Sequence, residues 1–421
     1  MAIDESNGNG AESDISGINT LDASAAAIVQ ETRNYFNSKN NSPNDYGDGG
    51  NDWSGYKKDW FRFEKVLGQG GFGIACRIVE HQPGRPPRRL AVKRALGGRE
   101  EADLRREIRI LRRLRGAEHI VRYVASYNGS NNDDDDGNSA GSRKSLGGLV
   151  RSVTQLITGS GSSEAGAEDD SSSGDFLAGL TGPVLVMEYL EHHDLALLLK
   201  RVQDQNIILP NRILWAFFLC LVRGCVALAY PPDGDDKTAN KLETIPKGRK
   251  PENLQHGDLH LRNIMISDIS SEFREHTFTP ALKLIDFGQA TKTIVAFIIH
   301  GPRTFSNFNP ANYNGIATGA KEIVPAPYGN GDSYPTLDPL LRDFLARCLA
   351  ISPKDRPSLA EMLSTAEAGA RRSAEEYAPN EHLESDRAVR KAVRELIFNA
   401  DSKKNPKNKT GDGVLTAGLV V

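Results

Sequence analysis

Residues 61–80 read FRFEKVLGQGGFGIACRIVE, two apolar runs on either side of Gly68, Gly70, Gly71 and Gly73. The spacing G-x-G-x-x-G over 68–73 suits two different phosphate cradles. In one, the glycine turn feeds a helix whose amino end faces a pyrophosphate; in the other, it closes a β-hairpin. The residues after Gly73 decide between them. IACRIVEHQPG continues as a β-branched run and ends in a turn, which predicts strand, glycine-rich turn, strand.

Working outward, RRLAVKRAL (88–96) predicts a third strand that ends on Lys93, a cation that must either reach water or meet an anion. Fourteen residues later Glu107 stands on the helical pattern EADLRREIRILRRL (101–114), where Ile108, Ile110, Leu111 and Leu114 form its apolar side. A Lys93–Glu107 pair would aim the ammonium at phosphate oxygens. HIVRYVASY (119–127) and PVLVMEYL (183–190) predict two more strands.

After Leu190 the periodicity turns helical, at 194–202, 211–230, 337–350, 358–368 and 384–399. Leu337, Leu340, Leu341, Phe344, Leu345, Cys348 and Leu349 are spaced as a core-facing stripe. The expected fold class is α+β: a small antiparallel sheet lobe followed by a larger, mainly α-helical lobe. Within the latter, HGDLHLRN (256–263) and LKLIDFGQA (282–290) put Asp258, Asn263 and Asp286 on loops. Asn263 and Asp286 offer oxygen ligands to a hard cation, and Asp258 can orient a hydroxyl.

Other tracts cannot bury enough apolar surface to offset chain entropy. Residues 1–52 are expected to be a disordered tail, 128–182 a disordered insertion and 401–421 a flexible tail. The ordered domain then spans 53–400, with its small part at 53–190 and its large part at 191–400. Val150, Val153, Leu156 and Ile157 could form one short apolar helical face inside the insertion, and the DDDD run at 133–136 reads as a solvated loop.

The 421 residues carry a net charge of -3, which gives no reason to expect nucleic acid. Cys76, Cys220, Cys225 and Cys348 show no C-x-x-C spacing and read as reduced, packed thiols. The longest apolar run, from Leu214, stops at Arg223, and the amino terminus lacks a basic, apolar leader. An intracellular protein, cytoplasmic or nuclear, with no membrane span is expected.

Taken in order, these motifs resemble the eukaryotic protein-kinase family over roughly residues 60–366. GQGGFG is similar to the glycine-rich loop, LAVK with Ala91 and Lys93 to the nucleotide strand, HGDLHLRN to the catalytic loop, and DFG at 286–288 matches literally. MEYLEHHDL (187–195) resembles the hinge, with Met187 behind the pocket, Glu188 to Leu190 offering backbone groups to adenine, and Asp194 within reach of the ribose. The resemblance implies a bilobal serine/threonine-type kinase using ATP and Mg2+. Gly68, Gly70, Gly71 and Gly73 would cover the phosphates, and Lys93 and Glu107 would act on them. Asp258 would be the base, Asn263 and Asp286 the metal ligands, and His256 a support of the loop. CLAISPKDRPSLAEML (348–363), including Arg356, is similar to the family's late helical region.

Three positions depart from the pattern. Gly257 replaces an arginine that pairs with a phosphorylated loop, and His260 replaces a lysine that neutralises the transferred phosphate, with Arg262 as a substitute cation. Between Ala290 and Pro335 nothing resembles the family's APE motif, so the segment reads as abridged, with KTIVAFIIHG (292–301) as its one apolar run. Three functions follow: an active kinase on protein Ser/Thr hydroxyls; a pseudokinase serving as a nucleotide-binding interaction module; or a small-molecule kinase, since HGDLH also resembles the loop of aminoglycoside phosphotransferase-like enzymes.

Overall fold

The computed structural model describes residues 21–38, 58–71, 73–129, 176–232, 240–292, 310–325 and 332–400. The DDDD run, the short apolar face at 150–157, the 401–421 tail and most of KTIVAFIIHG lie outside them. The fold is mixed α+β.

Five antiparallel strands form the sheet: β1 (Phe61–Gly70), β2 (Gly73–Glu80), β3 (Arg88–Arg94), β4 (Tyr123–Tyr127) and β5 (Val184–Glu188), in the order β1-β2-β3-β5-β4. Gly70 pairs with Gly73 across the expected hairpin. In β3 the two-residue alternation sends Leu90, Val92 and Arg94 to one face, fully buried, and Ala91 and Lys93 to the other. Lys93 pairs with Ala75 on one side and Leu185 on the other.

The outer face of the sheet, with Ile74, Cys76, Ile78, Leu90, Val92, Val184 and Val186, needs a cover, and the chain supplies it from two segments read as tail and insertion. Residues 23–37 of the expected 1–52 tail form helix α1 (Ala23–Asn37), which buries Ala25, Val29, Thr32 and Phe36. Phe176, Leu177 and Leu180, near the end of the expected 128–182 insertion, pack into the same core, where Phe176 stacks on Phe61 at 4.8 Å. Arg94 locks the layer. Its guanidinium, 2% exposed, donates to Thr32 Oγ1 (2.9 Å), Glu31 (3.0 Å) and the Thr181 carbonyl (2.7 Å), the pairing a buried cation requires.

The inner face meets helix α2 (Arg99–Arg113), which buries Leu104, Ile108 and Leu111. The same core runs on into the helical part of the chain, through α3 (Leu195–Asp204), α4 (Asn211–Ala229) and the paired strands β7 (Ile264–Ile266) and β8 (Leu282–Leu284). A further pair joins β6 (Leu254–Gln255) to β9 (Thr291–Lys292).

By length and composition α4 could cross a membrane, a reading that an apolar run ending at Arg223 does not suggest, but 67% of its most apolar window is buried within the protein. Arg223 does not interrupt it, because Glu275 grips the guanidinium at 2.7 and 2.8 Å and the Glu243 carbonyl accepts at 2.6 Å. Small residues let neighbours approach: a Cβ on Gly369 of helix α6 (Leu359–Ala370) would lie 2.3 Å from the Trp215 ring of α4.

The stripe read at 337–349 is narrower in the structure. Helix α5 (Pro339–Cys348) buries Leu341, Phe344 and Ala346 but leaves Leu340 and Leu349 exposed. The cause is a hairpin of β10 (Ala311–Tyr313) and β11 (Ile316–Thr318), whose Thr318 hydroxyl donates to the Ala346 carbonyl at 2.7 Å and draws that side of α5 inward. Helices α7 (Glu381–Glu384) and α8 (Asp386–Val393) complete the described chain, and a π-turn at Arg394–Phe398 ends the helix expected over 384–399.

Candidate active site

Strand β3 delivers Lys93 to the inner face just where α2 presents Glu107, which is 1% exposed. The ammonium donates to Glu107 Oε2 at 2.7 Å and to Asp286 Oδ1 at 3.0 Å. Burial alone would pull the lysine's pKa down; the two carboxylates outweigh it and hold Lys93 above its ordinary value. The burial of Asp286 is likewise outweighed by Lys93, so its carboxyl sits below the usual range.

Asp286 follows β8 in a left-handed conformation (φ +61°), uncommon for a residue with a side chain and tolerated where the surroundings over-determine it. They do so here. Glu107 Oε1 accepts from the Phe287 amide at 3.2 Å, the Phe287 ring is fully buried, and Arg106 donates to the Gly288 carbonyl at 2.8 Å. Helix α2 thus holds Phe287 and Gly288 directly, and Asp286 through the Lys93 that Glu107 grips.

The loop 256–263 is fastened to the same segment from the other side. His256 Nε2 donates to the Ile285 carbonyl at 2.8 Å and its ring packs on Phe287 at 4.6 Å; burial pushes its pKa down, so it is a neutral support. The Asn263 carbonyl accepts from the Ile285 amide at 3.0 Å, and Asn263 Nδ2 donates to the Asp258 carbonyl (2.9 Å) and Oδ2 (3.3 Å). With its nitrogen occupied by Asp258, the Asn263 amide has its oxygen to offer a cation. Asp258 is thus bonded to Asn263, Asn263 to the Ile285 amide next to Asp286, and Asp286 and Glu107 to Lys93.

Two glycines are required by close approaches. Gly257 (φ +80°) lies so near the turn after Asp286 that a Cβ would be 2.2 Å from the Gln289 carbonyl. An arginine at that position has no room. Gly73 (φ +130°) meets the Arg94 carbonyl in the same way, at 2.1 Å, so this member of the glycine pattern is needed by the sheet itself. Gly68 pairs with Ala75, and Gly71 forms the turn.

Among the residues expected to meet a nucleotide, Ala91 pairs with Met187, on the face of the sheet that carries Lys93. Leu190 is buried. The Glu188 carboxylate is committed elsewhere, accepting from the Arg122 amide (2.7 Å) and Lys283 Nζ (2.9 Å), and its amide donates to the Arg122 carbonyl. Asp194, expected at the ribose, caps α3 by accepting from the Leu197 amide at 2.8 Å through Oδ1. His192 Nε2 lies 2.6 Å from Asp268 Oδ1. His260 Nδ1 accepts from the Arg262 amide at 3.2 Å, leaving Nε2 3.6 Å from Asp258. Arg356 donates to the carbonyls of Ala350 and Ile351.

No protein-family model matches the chain, and no curated protein matches it. The donor set is what the site offers: carboxylate and amide oxygens suited to a hard divalent cation, beside an ammonium held for an anion. Sequence reading missed Arg106 and the steric need for Gly257, neither of which carries a spacing signal. It also missed a buried histidine and cysteine cluster described below.

Proposed function

We propose that the chain is an ATP- and Mg2+-dependent phosphotransferase of bilobal, protein-kinase-like architecture that acts on Ser/Thr hydroxyls of proteins in the cytoplasm or nucleus. The contact of Lys93 with both Glu107 and Asp286 carries the reading, because it joins the glycine hairpin's sheet to the segment after β8 that bears Asp286. A lysine gripped by two carboxylates keeps its charge at a fixed place, which is how a site built on positioning favours phosphoryl transfer.

In this reading the amides of 68–73 face the phosphates and Lys93 contacts them. Asn263 and Asp286 would hold magnesium, which supplies charge neutralisation on the transferred group. Asp258, fixed by Asn263, orients the hydroxyl and accepts its proton. His260 lies 3.6 Å from Asp258, and Arg262 on the same loop would supply the positive charge where the family has a lysine.

Gly257 supports a second reading, a small-molecule kinase, since the close approach to Gln289 is the physical reason for the H-G-D form of the loop. A thermal-shift titration with Mg2+ and ATP, on the natural protein and on Lys93→Ala, tests the pocket by mass action. Transfer from labelled ATP to peptide mixtures, and separately to sugars and amino alcohols, then separates the acceptors. Binding with transfer to neither would leave the pseudokinase.

A further inference from the structure

We propose that His119, Cys220 and His276 bind one zinc ion, in a buried structural site that is independent of the phosphotransferase reading. The three residues come from the loop before β4, from α4 and from the turn between β7 and β8, and all are buried. One donor atom from each lies within 4.8 Å of the other two. His119 Nε2 and His276 Nε2 are 3.2 Å apart. Two imidazoles on a tetrahedral zinc, with Zn–N of about 2.0–2.1 Å, would place their nitrogens about 3.3 Å apart.

The surroundings are those of a histidine ligand. His119 Nδ1 donates to Glu243 Oε2 at 2.7 Å, and its Nε2 faces His276 Nε2, the nitrogen a metal would take in place of a proton. Glu243 Oε1 also accepts from the His119 amide at 2.8 Å, so ring and backbone are oriented by one carboxylate. Glu275 Oε1, 3.6 Å from His276 Nε2, borders the site and already accepts from Arg223. Three protein ligands leave a fourth position for a water.

Charge agrees. The charged neighbours are the carboxylates of Glu243 and Glu275 and the guanidinium of Arg223, which Glu275 and Glu367 both bind, while Lys283 pairs with Glu188 and Glu118. A Cys220 thiolate beside these carboxylates would give a buried dication the negative charge it requires. The ion would also brace the active-site strand, since the His119 carbonyl accepts from the Leu284 amide at 2.9 Å, two residues before Asp286.

The test uses the full chain, without a histidine tag, purified under reducing conditions. Elemental analysis is expected to find one zinc per chain, and cobalt exchange to give a near-ultraviolet thiolate-to-metal band. Cys220→Ser should lose that band and at least tenfold in zinc affinity, while Cys225→Ser, on the same helix but outside the cluster, keeps both. A chelator should lower the melting temperature of the natural protein. If Cys220→Ser does not fold, His276→Gln replaces it and the chelator result still stands. A natural protein that takes up neither zinc nor cobalt, or a cobalt band that survives in Cys220→Ser, overturns the site and leaves two histidines sharing a proton.

Discussion

The Lys93 ammonium and the Asp286 carboxylate, 193 residues apart in the chain, meet at 3.0 Å with Glu107 on the lysine's other side. Glu107 serves two masters there, the ammonium and the Phe287 amide. Removing its charge while keeping its shape separates the two roles.

Glu107→Gln can still accept from Phe287 but leaves Lys93 with one carboxylate. Breaking a buried pair costs about 3–5 kcal/mol when a charge is stranded. Because Asp286 remains, the expected loss is smaller, about 1–2 kcal/mol, or a melting temperature lower by roughly 2–8 °C. ATP affinity should fall with it. Unchanged affinity and stability would show that the pair is incidental.

Gly257→Ala forces a Cβ onto the Gln289 carbonyl in a left-handed conformation. The expected cost is about 1–3 kcal/mol, together with loss of phosphate transfer as the Asp258 loop shifts. Gly84→Ala is the control: its φ is +77° but a Cβ there meets nothing within 4 Å. It should cost about 1 kcal/mol and leave transfer intact. Denaturant melts and initial rates of both variants decide the point.

Phe36→Ala removes the fully buried end of α1 from the outer face of the sheet. A large-to-small change of this kind costs about 3–5 kcal/mol, to be read from the midpoint of chemical unfolding. A change below about 1 kcal/mol would mean that α1 does not cover the sheet in solution.

His256 is buried neutral, with its pKa depressed below the ordinary value of 6.5. The unfolded chain therefore binds a proton first as pH falls through 6.5. The stability contributed by the neutral imidazole is complete above that pH and drains away as pH drops toward the folded value. Unfolding free energy measured between pH 7.5 and about 5 should decline in the natural protein, and less steeply in His256→Asn. Parallel profiles would remove His256 as the cause.

The sheet strands, α2 and α4 were legible because their apolar residues recur at two or at three and four positions, and the strands sit between turn residues. The reading failed where the signal is composition. Asp22 followed by Ala25, Val29, Thr32 and Phe36 has helical spacing, yet the Ser, Asn and Gly around it masked α1. The β10–β11 hairpin turns on Asn314-Gly315, both at positive φ, a pair that marks a tight turn but was lost within a segment scanned for another motif. Asp194 also carries a local role that position in a motif does not show, since its Oδ1 accepts from the Leu197 amide at the start of α3. His119, Cys220 and His276 are too far apart in the chain for any spacing to join them.

The proposed phosphate transfer depends most on Asp286, which Lys93 holds and whose neighbour Ile285 donates to the Asn263 carbonyl. The most direct measurement is transfer of labelled phosphate from ATP by the natural protein and by Asp286→Ala under identical conditions. The account predicts Mg2+-dependent transfer that falls at least a hundredfold in Asp286→Ala, about 2.7 kcal/mol of lost transition-state stabilisation. Transfer that persists undiminished in Asp286→Ala would contradict it.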